Sequence, residues 1–520
     1  MGNLGPRFRL RPLCTCLAAT STLLFAETAF ASTVSFAALS AAAERVQRGV
    51  ASALLGSIVT NCGDGLNPGT LRYLVAHAGP GDTIDLGNCP EISLSAAIVT
   101  PQFAPLTISG GGSIIHASAV EPAFASLSDL TLVNLTINGG AAVAVLGEGD
   151  KVGGALVAGY NLTLQNSTVS GGVAKGKGGK GGSIYAFGNL MLQNSTVSGG
   201  SAVLAGGCIY GKDSVVLDHS TVTGCSAKAY SLAYYNMFIY SFGGAIVASS
   251  VTLTNASQVS SSFSLGSPAC SPYTNCFIFG YEHDEYAGGI KTGPFTCIDS
   301  RVSGNAAPHS AGISASSASL QRCTVDNNFV NRHFVYSNDT AGSGMSVSSS
   351  AEIVNSTIVF NGSGIDASGN VMLVSSTVDY NCLGGVSSAS LFALSSIVAK
   401  NGPGVPLYYC HGSDVNAAVM SGGDNLVIAA NVSQAPPPGV VTLTVDPLLL
   451  PLDFNGGPTP TQALDPASPA RDKGNNYNQL ASDQRGAGFV RMYGRPDIGA
   501  YEWQVEGDEI LYDGFEYGAR

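Results

Sequence analysis

Two aspartates are the residues of this 520-residue chain that could do acid–base chemistry on a polymer. Asp326 and Asp379 fall in one outward column of a repeating pattern, so stacked strands would hold them roughly 9.6 Å apart, two strand spacings. Inverting glycoside hydrolysis sets an acid and a base about 6.5–9.5 Å apart. Arg301, one repeat earlier, could meet an anionic sugar. The geometry is tolerable, but an open repeat face offers neither carboxyl the surroundings that raise the pKa of a general acid. Two acids also coincide easily on a repeated surface. The expectation is therefore no catalytic residue, with Asp326, Asp379 and Arg301 as the candidates if the protein is an enzyme.

Other polar clusters read as loops. Glu282-His283-Asp284-Glu285 could offer carboxylates to a hard cation. Neighbours in sequence converge on one ion only in a defined turn, so a solvated loop tip is expected. Residues 175–182, Lys-Gly-Lys-Gly-Gly-Lys-Gly-Gly, lack the closing Gly-Lys-Ser/Thr of a phosphate loop. The seven histidines are scattered without metal-ligand spacing. No metal and no cofactor is expected.

The elements that would position such residues come from a repeat. Asn161-Leu-Thr-Leu-Gln-Asn-Ser-Thr-Val-Ser-Gly-Gly recurs almost unchanged from Asn189, with weaker copies from Asp129 to Ala389. One apolar column reads Leu132, Leu164, Leu192, Leu217, Leu253, Cys297, Leu320, Ile353, Leu373 and Phe392. A second runs from Ile137 through Val169, Val197 and Val222 to Val378 and Ile397. Alternation around the first column gives a strand with one buried face. Many copies follow a glycine-led strand such as Gly181-Gly-Ser-Ile, Gly206-Gly-Cys-Ile or Gly243-Gly-Ala-Ile. Short strands at this spacing, with no helical period between them, predict an all-β solenoid, a right-handed parallel β-helix. Two polar columns accompany it: Asn134, Asn166, Asn194, His219, Asn255, Asp299 and Asn355, and then Asn305, Asn328, Asn361 and Asn381. The first is expected to form a side-chain amide ladder at a turn.

The Gly-Gly-Ala-Ile and terminal-Asn pattern resembles the repeats of polymorphic outer-membrane proteins and related right-handed β-helix proteins. Asn61-Cys-Gly-Asp-Gly-Leu-Asn-Pro-Gly-Thr-Leu-Arg-Tyr-Leu is similar to that family's N-terminal segment. Five C-terminal motifs resemble the choice-of-anchor Q domain in their order. They begin at Asp446, Asn455, Ser468, Asp483 (Asp-Gln-Arg-Gly) and Pro496 (Pro-Asp-Ile-Gly-Ala-Tyr-Glu). The resemblance implies the fold and a surface location; the family shares no reaction. The Asn-Thr-Asp, Asp-Asp, Gly-His-Gly and Arg-Ile-Lys signatures of pectin hydrolases are absent, as are the calcium and arginine motifs of pectate lyases.

These readings divide the chain. Residues 1–31 form a signal peptide, with Arg7, Arg9 and Arg11 before an apolar stretch and Ala29-Phe30-Ala31 before Ser32. Residues 32–100 are an N-terminal cap with an amphipathic helix over Ala37 to Leu55 and a second short helix capped by Thr70. The β-helix covers 101–434, an irregular C-terminal cap 435–503, and a tail 504–520. No transmembrane segment remains after cleavage, so the chain is expected to be secreted or held at a bacterial cell surface. No translocating membrane barrel of its own is expected. Ten cysteines stay in the mature chain, expected to pair as neighbours: Cys62–Cys89, Cys208–Cys225, Cys270–Cys276, Cys297–Cys323 and Cys382–Cys410.

Only 11% of residues are charged and the net charge is -12; the signal contributes +2, leaving -12 - 2 = -14. Such a surface repels nucleic acid and anionic lipid headgroups. The long insertions between Ser226 and Pro294 carry Tyr230, Tyr234, Tyr235, Tyr240, Tyr273 and Tyr281. Tyrosine offers wide contact area with a polar tip, suited to a glycan or protein, though the same rings could simply pack the loops. The expected function is an adhesive or glycan- or protein-binding scaffold; the alternative is a polysaccharide-active lyase or hydrolase.

Overall fold

A computed structural model describes residues 57–142, 151–176, 178–228, 241–265, 287–307, 310–329, 342–402 and 410–504. The signal, the helix expected over 37–55, the six tyrosines of the insertions, Glu282–Glu285, Cys270–Cys276 and all of the tail but Gln504 lie outside them.

The described chain winds as a parallel β-helix. A representative coil has four short strands, Leu156–Ala158, Leu162–Gln165, Thr168–Ser170 and Val173–Ala174. Each pairs in parallel with its equivalents in adjoining coils, as Leu164 does with Leu132 and Leu192. The third strands build a 14-stranded sheet that reaches from Glu91–Ser93 to Val441–Leu443. From Ile290–Ile298 onward the first two strands of several coils merge into one bent nine-residue strand. Parallel pairing begins at Ser57–Ile58, so the stack extends on both sides of the most similar repeats.

Burial follows the alternation. Leu132, Leu164, Leu192, Leu217 and Leu253 are fully buried in register, and Val169, Val197 and Val222 form the opposing column. Glycine is required where coils touch. Gly181 has φ +63°, and a Cβ on Gly182 would lie 2.1 Å from the Gly207 carbonyl of the next coil. Any side chain at Gly182 would push the two coils apart.

The columns hold except in the last copy. Leu373 pairs with Ala393 and Val378 with Val398, so Phe392 and Ile397 are each one residue out of the interior. A slip of one residue reverses the face. Phe392 is 41% exposed, and Ile397 is buried on the outside of the stack beneath a later part of the chain.

The asparagine column at the turn also has a different role. Asn134, Asn166, Asn194, His219, Asn255, Asp299 and Asn355 all have φ between 45° and 53°. These positions demand a left-handed residue, which asparagine tolerates well. The ladder belongs to the serine that follows. Ser167 N donates to Ser195 Oγ at 3.1 Å, Ser195 N to Ser220 Oγ at 3.0 Å, and Ser220 N to Ser257 Oγ at 3.1 Å. Replacing Ser195 by Ala should leave the buried Ser167 N–H unpaired and cost about 1–3 kcal/mol, read as a lower melting temperature. An unchanged melt would mean another group satisfies that donor.

An amide ladder does form at the second column. Asn305, Asn328, Asn361, Asn381 and Asn401 each accept at Oδ1 from the backbone N–H or side-chain amide of the preceding coil. Asp414 Oδ1 ends the series, 2.9 Å from Asn401 Nδ2. Four of the expected disulfides are present: Cys62–Cys89, Cys208–Cys225, Cys297–Cys323 and Cys382–Cys410. A helix over Leu71–His77 is capped by Thr70, whose Oγ1 accepts from Tyr73 N. Among the described residues no helix is long and apolar enough to cross a membrane.

Candidate functional site

The C-terminal residues lie along the side of the stack, and they decide the fate of the two aspartates. An antiparallel hairpin, Leu449–Asp453 with Thr461–Leu464, leads into a loop-rich segment to Gln504. It packs on the outer face of the 14-stranded sheet, burying Ile397, Ala399 and Leu426 against Ala463, Leu464, Ala470, Ile498 and Tyr501. Polar contacts fix its register. Gln484 Oε1 accepts from Thr357 Oγ1 at 2.6 Å, Ala500 N donates to Thr377 Oγ1, and Ser482 O accepts from Asn355 Nδ2.

Asp326 and Asp379 do share a column, separated by Val359, as the repeat predicts. Both side chains are fully buried. Arg301 meets Asp326 through two bonds, Nε to Oδ1 at 2.7 Å and Nη2 to Oδ2 at 2.6 Å, in the adjoining coil. Asp326 also accepts from Ser303 and Asn327. Asp379 accepts from Gln462 Nε2 at 3.1 Å, and its Oδ1 has no partner. Burial pushes its carboxyl up to about 7, against the pull of Gln462 and Lys400. The raised pKa that an open face would deny is thus supplied by the covering segment, which also closes the route by which a substrate would reach it.

Within that segment the motif residues hold one another. Arg485 lies between the rings of Phe489 and Tyr501, 4.0 and 3.9 Å from their centres, and donates to Asp483 at 2.7 Å. Glu502 accepts from Asp497 N and Tyr493 N, and Asp497 accepts from Asp472 N and Trp503 N. Burial, and then Asp497, raise Glu502 to about 8. These groups are closed off from solvent and serve the packing.

An accessible site lies elsewhere, on the outer face where the nine-residue strands bend. A shallow cleft of about 530 Å³ is lined there by Thr296, Ser319, Glu352, Met372, Phe392 and Ser421 along one wall. These six are consecutive register partners. Pro294, Ser317, Ser350, Asn370 and Ser390 form the adjoining column at the bend. Ser390 Oγ donates to Asn370 Oδ1 at 2.7 Å, which orients that pair. Among the described residues Glu352 is the one ionisable group in the lining. Hydroxyls and an amide can bond a polyol, and an exposed ring can stack on an apolar sugar face. A single carboxylate is one acid short of two-carboxylate hydrolysis. Among the described residues no group of three or more His, Cys, Asp or Glu could hold a metal ion.

The cleft was not legible as a site, because Phe392 reads as interior while Glu352 and Met372 are single outward residues. The signal that could have found it is the run of bend residues Ser317, Ser350, Asn370 and Ser390, each three positions before the buried Leu320, Ile353, Leu373 or Ala393. No family model and no curated protein matches the chain. A solved structure, pectate lyase Pel9A, matches at 12% identity with a TM-score of 0.41, over 87% of this chain and 97% of that one.

Proposed function

We propose that this protein is a secreted, surface-displayed scaffold that binds a glycan in the bend cleft and does not process it. The observation that carries the reading is the lining: hydroxyl and amide groups repeated coil by coil around exposed Phe392, with one carboxylate. Four disulfides favour a chain that folds in an oxidising compartment. The resemblance of the C-terminal motifs to the choice-of-anchor Q domain favours the cell surface. Tyr234, Tyr235, Tyr240, Tyr273 and Tyr281 of the insertions would add contacts to a glycan or surface protein. The burial of Asp326 and Asp379 weighs against the polysaccharide-active alternative at that pair.

A glycan-array screen of the mature protein, with product analysis of each hit, tests this. Phe392→Ala should weaken a retained glycan about tenfold, as loss of one aromatic stack worth about 1–1.5 kcal/mol would do. No shortened product should form. Products that vanish in Glu352→Gln or Asp379→Asn would make the protein an enzyme instead.

A further inference from the structure

The cleft's charge and periodicity narrow what it can hold. Among the described residues its lining has no Lys or Arg, and its one charge is the Glu352 carboxylate, exposed at the middle of the wall. The whole chain carries -12. A polyuronate laid here would meet a like charge and no cation, which costs binding at every acidic sugar near Glu352. A neutral polyol pays no such penalty and finds donors and acceptors at Thr296, Ser319 and Ser421. Along the wall those polar positions flank Met372 and Phe392, so the occupant must present an apolar face at that point.

Length follows from register. Six successive strands contribute one wall residue each, from Thr296 to Ser421, and five steps of about 4.8 Å span about 24 Å. The coil spacing is close to the advance of one sugar in an extended chain, so each sugar can meet one wall residue in turn. Resting on the glycan reading above, we infer that the cleft takes an unbranched, uncharged polysaccharide laid parallel to the solenoid axis, one sugar per coil. Charge decides against uronates, and the straight run of equivalent positions decides against a branched or compact glycan.

The test is calorimetric titration of the full mature chain with cello-oligosaccharides of two to six sugars and with oligogalacturonates of matched length. Affinity for the neutral series should rise with each added sugar to about five or six, matching the wall. It should change less than about twofold between low and high salt, because no ion pair is screened. Oligogalacturonates should bind at least about tenfold more weakly, and Glu352→Gln should narrow that gap by removing the like charge. Two results would overturn the inference while leaving a glycan site in place: uronates binding as tightly as neutral chains, or a length gain that stops at two or three sugars, with Phe392→Ala still weakening binding. Binding of neither series, or equal binding by Phe392→Ala and the wild type, would remove the glycan reading itself.

Discussion

Arg485→Ala should release the C-terminal segment from the side of the β-helix, at a cost of about 3–5 kcal/mol to its docking. Arg485 is 2% exposed, stacked between Phe489 and Tyr501 and bonded to Asp483 and to the Glu502 carbonyl. Removing it leaves the fully buried Asp483 carboxylate with only the backbone N–H groups of residues 485 and 502. It also opens a gap between two rings. Desolvation already raises the Asp483 carboxyl, and Arg485 is the group that opposes it. Arg485→Lys should fall between, since an ammonium keeps the charge but loses the planar stack and the fork. Limited proteolysis is the measurement. Residues 444–504 should become cleavable while the stack, whose strands pair independently of them, keeps its β circular dichroism. Equal protease resistance in Arg485→Ala and the wild type would show that the apolar contacts of Ile397 and Leu426 suffice to hold the segment.

How much of this was readable beforehand depends on whether a property is local to a coil. The solenoid was legible because each coil repeats the same inward residues, and neighbour pairing of cysteines follows because the partners lie in one coil, as Cys208 and Cys225 do, or in adjoining ones, as Cys297 and Cys323 do. Thr70 was legible as a cap for a similar reason: its bond to Tyr73 N spans three residues. The docking of residues 444–504 was not, because its contacts reach back more than 120 residues, as from Gln484 to Thr357. The one hint was compositional. Outward positions that are Thr or Ser in early coils become Ile397 and Ala399 in a late one, which is costly unless something covers them. The same covering turned Asp326 and Asp379 from surface candidates into buried groups. The cleft escaped because an alternating pattern leaves a phenylalanine at the wrong parity indistinguishable from a core residue until its strand partners are known.

The buried Asp379 should make the docking of that segment weaken as pH rises from about 4 to about 7. Its carboxyl titrates near 7 in the folded chain and near the usual 3.9 when unfolded, so folding favours the protonated form. Stability from this group is therefore complete below about pH 4, falls through the interval, and levels off above about 7. The gap sets a ceiling of about 4 kcal/mol, reduced by whatever water enters on ionisation. The surroundings fit this direction. Asp379 faces Gln462, whose Oε1 is also without a partner, and Asp414 and Asp446 add like charge. Lys400 is the nearby cation, but it is bonded to Asp446 at 2.6 Å and is shared between the two acids. Glu502, at about 8, adds a loss of the same sign that continues to higher pH. Asp379→Asn separates the two, because a neutral amide cannot ionise yet can keep a bond to Gln462. The variant should equal the wild type near pH 4, exceed it in melting temperature at pH 8, and retain the decline that belongs to Glu502 and to Asp414, Asp483 and Asp497, whose carboxyls burial also raises. Parallel melting curves for the two proteins from pH 4 to 8 would place the Asp379 carboxylate in contact with solvent or with Lys400 and rule out its role as a proton-dependent latch.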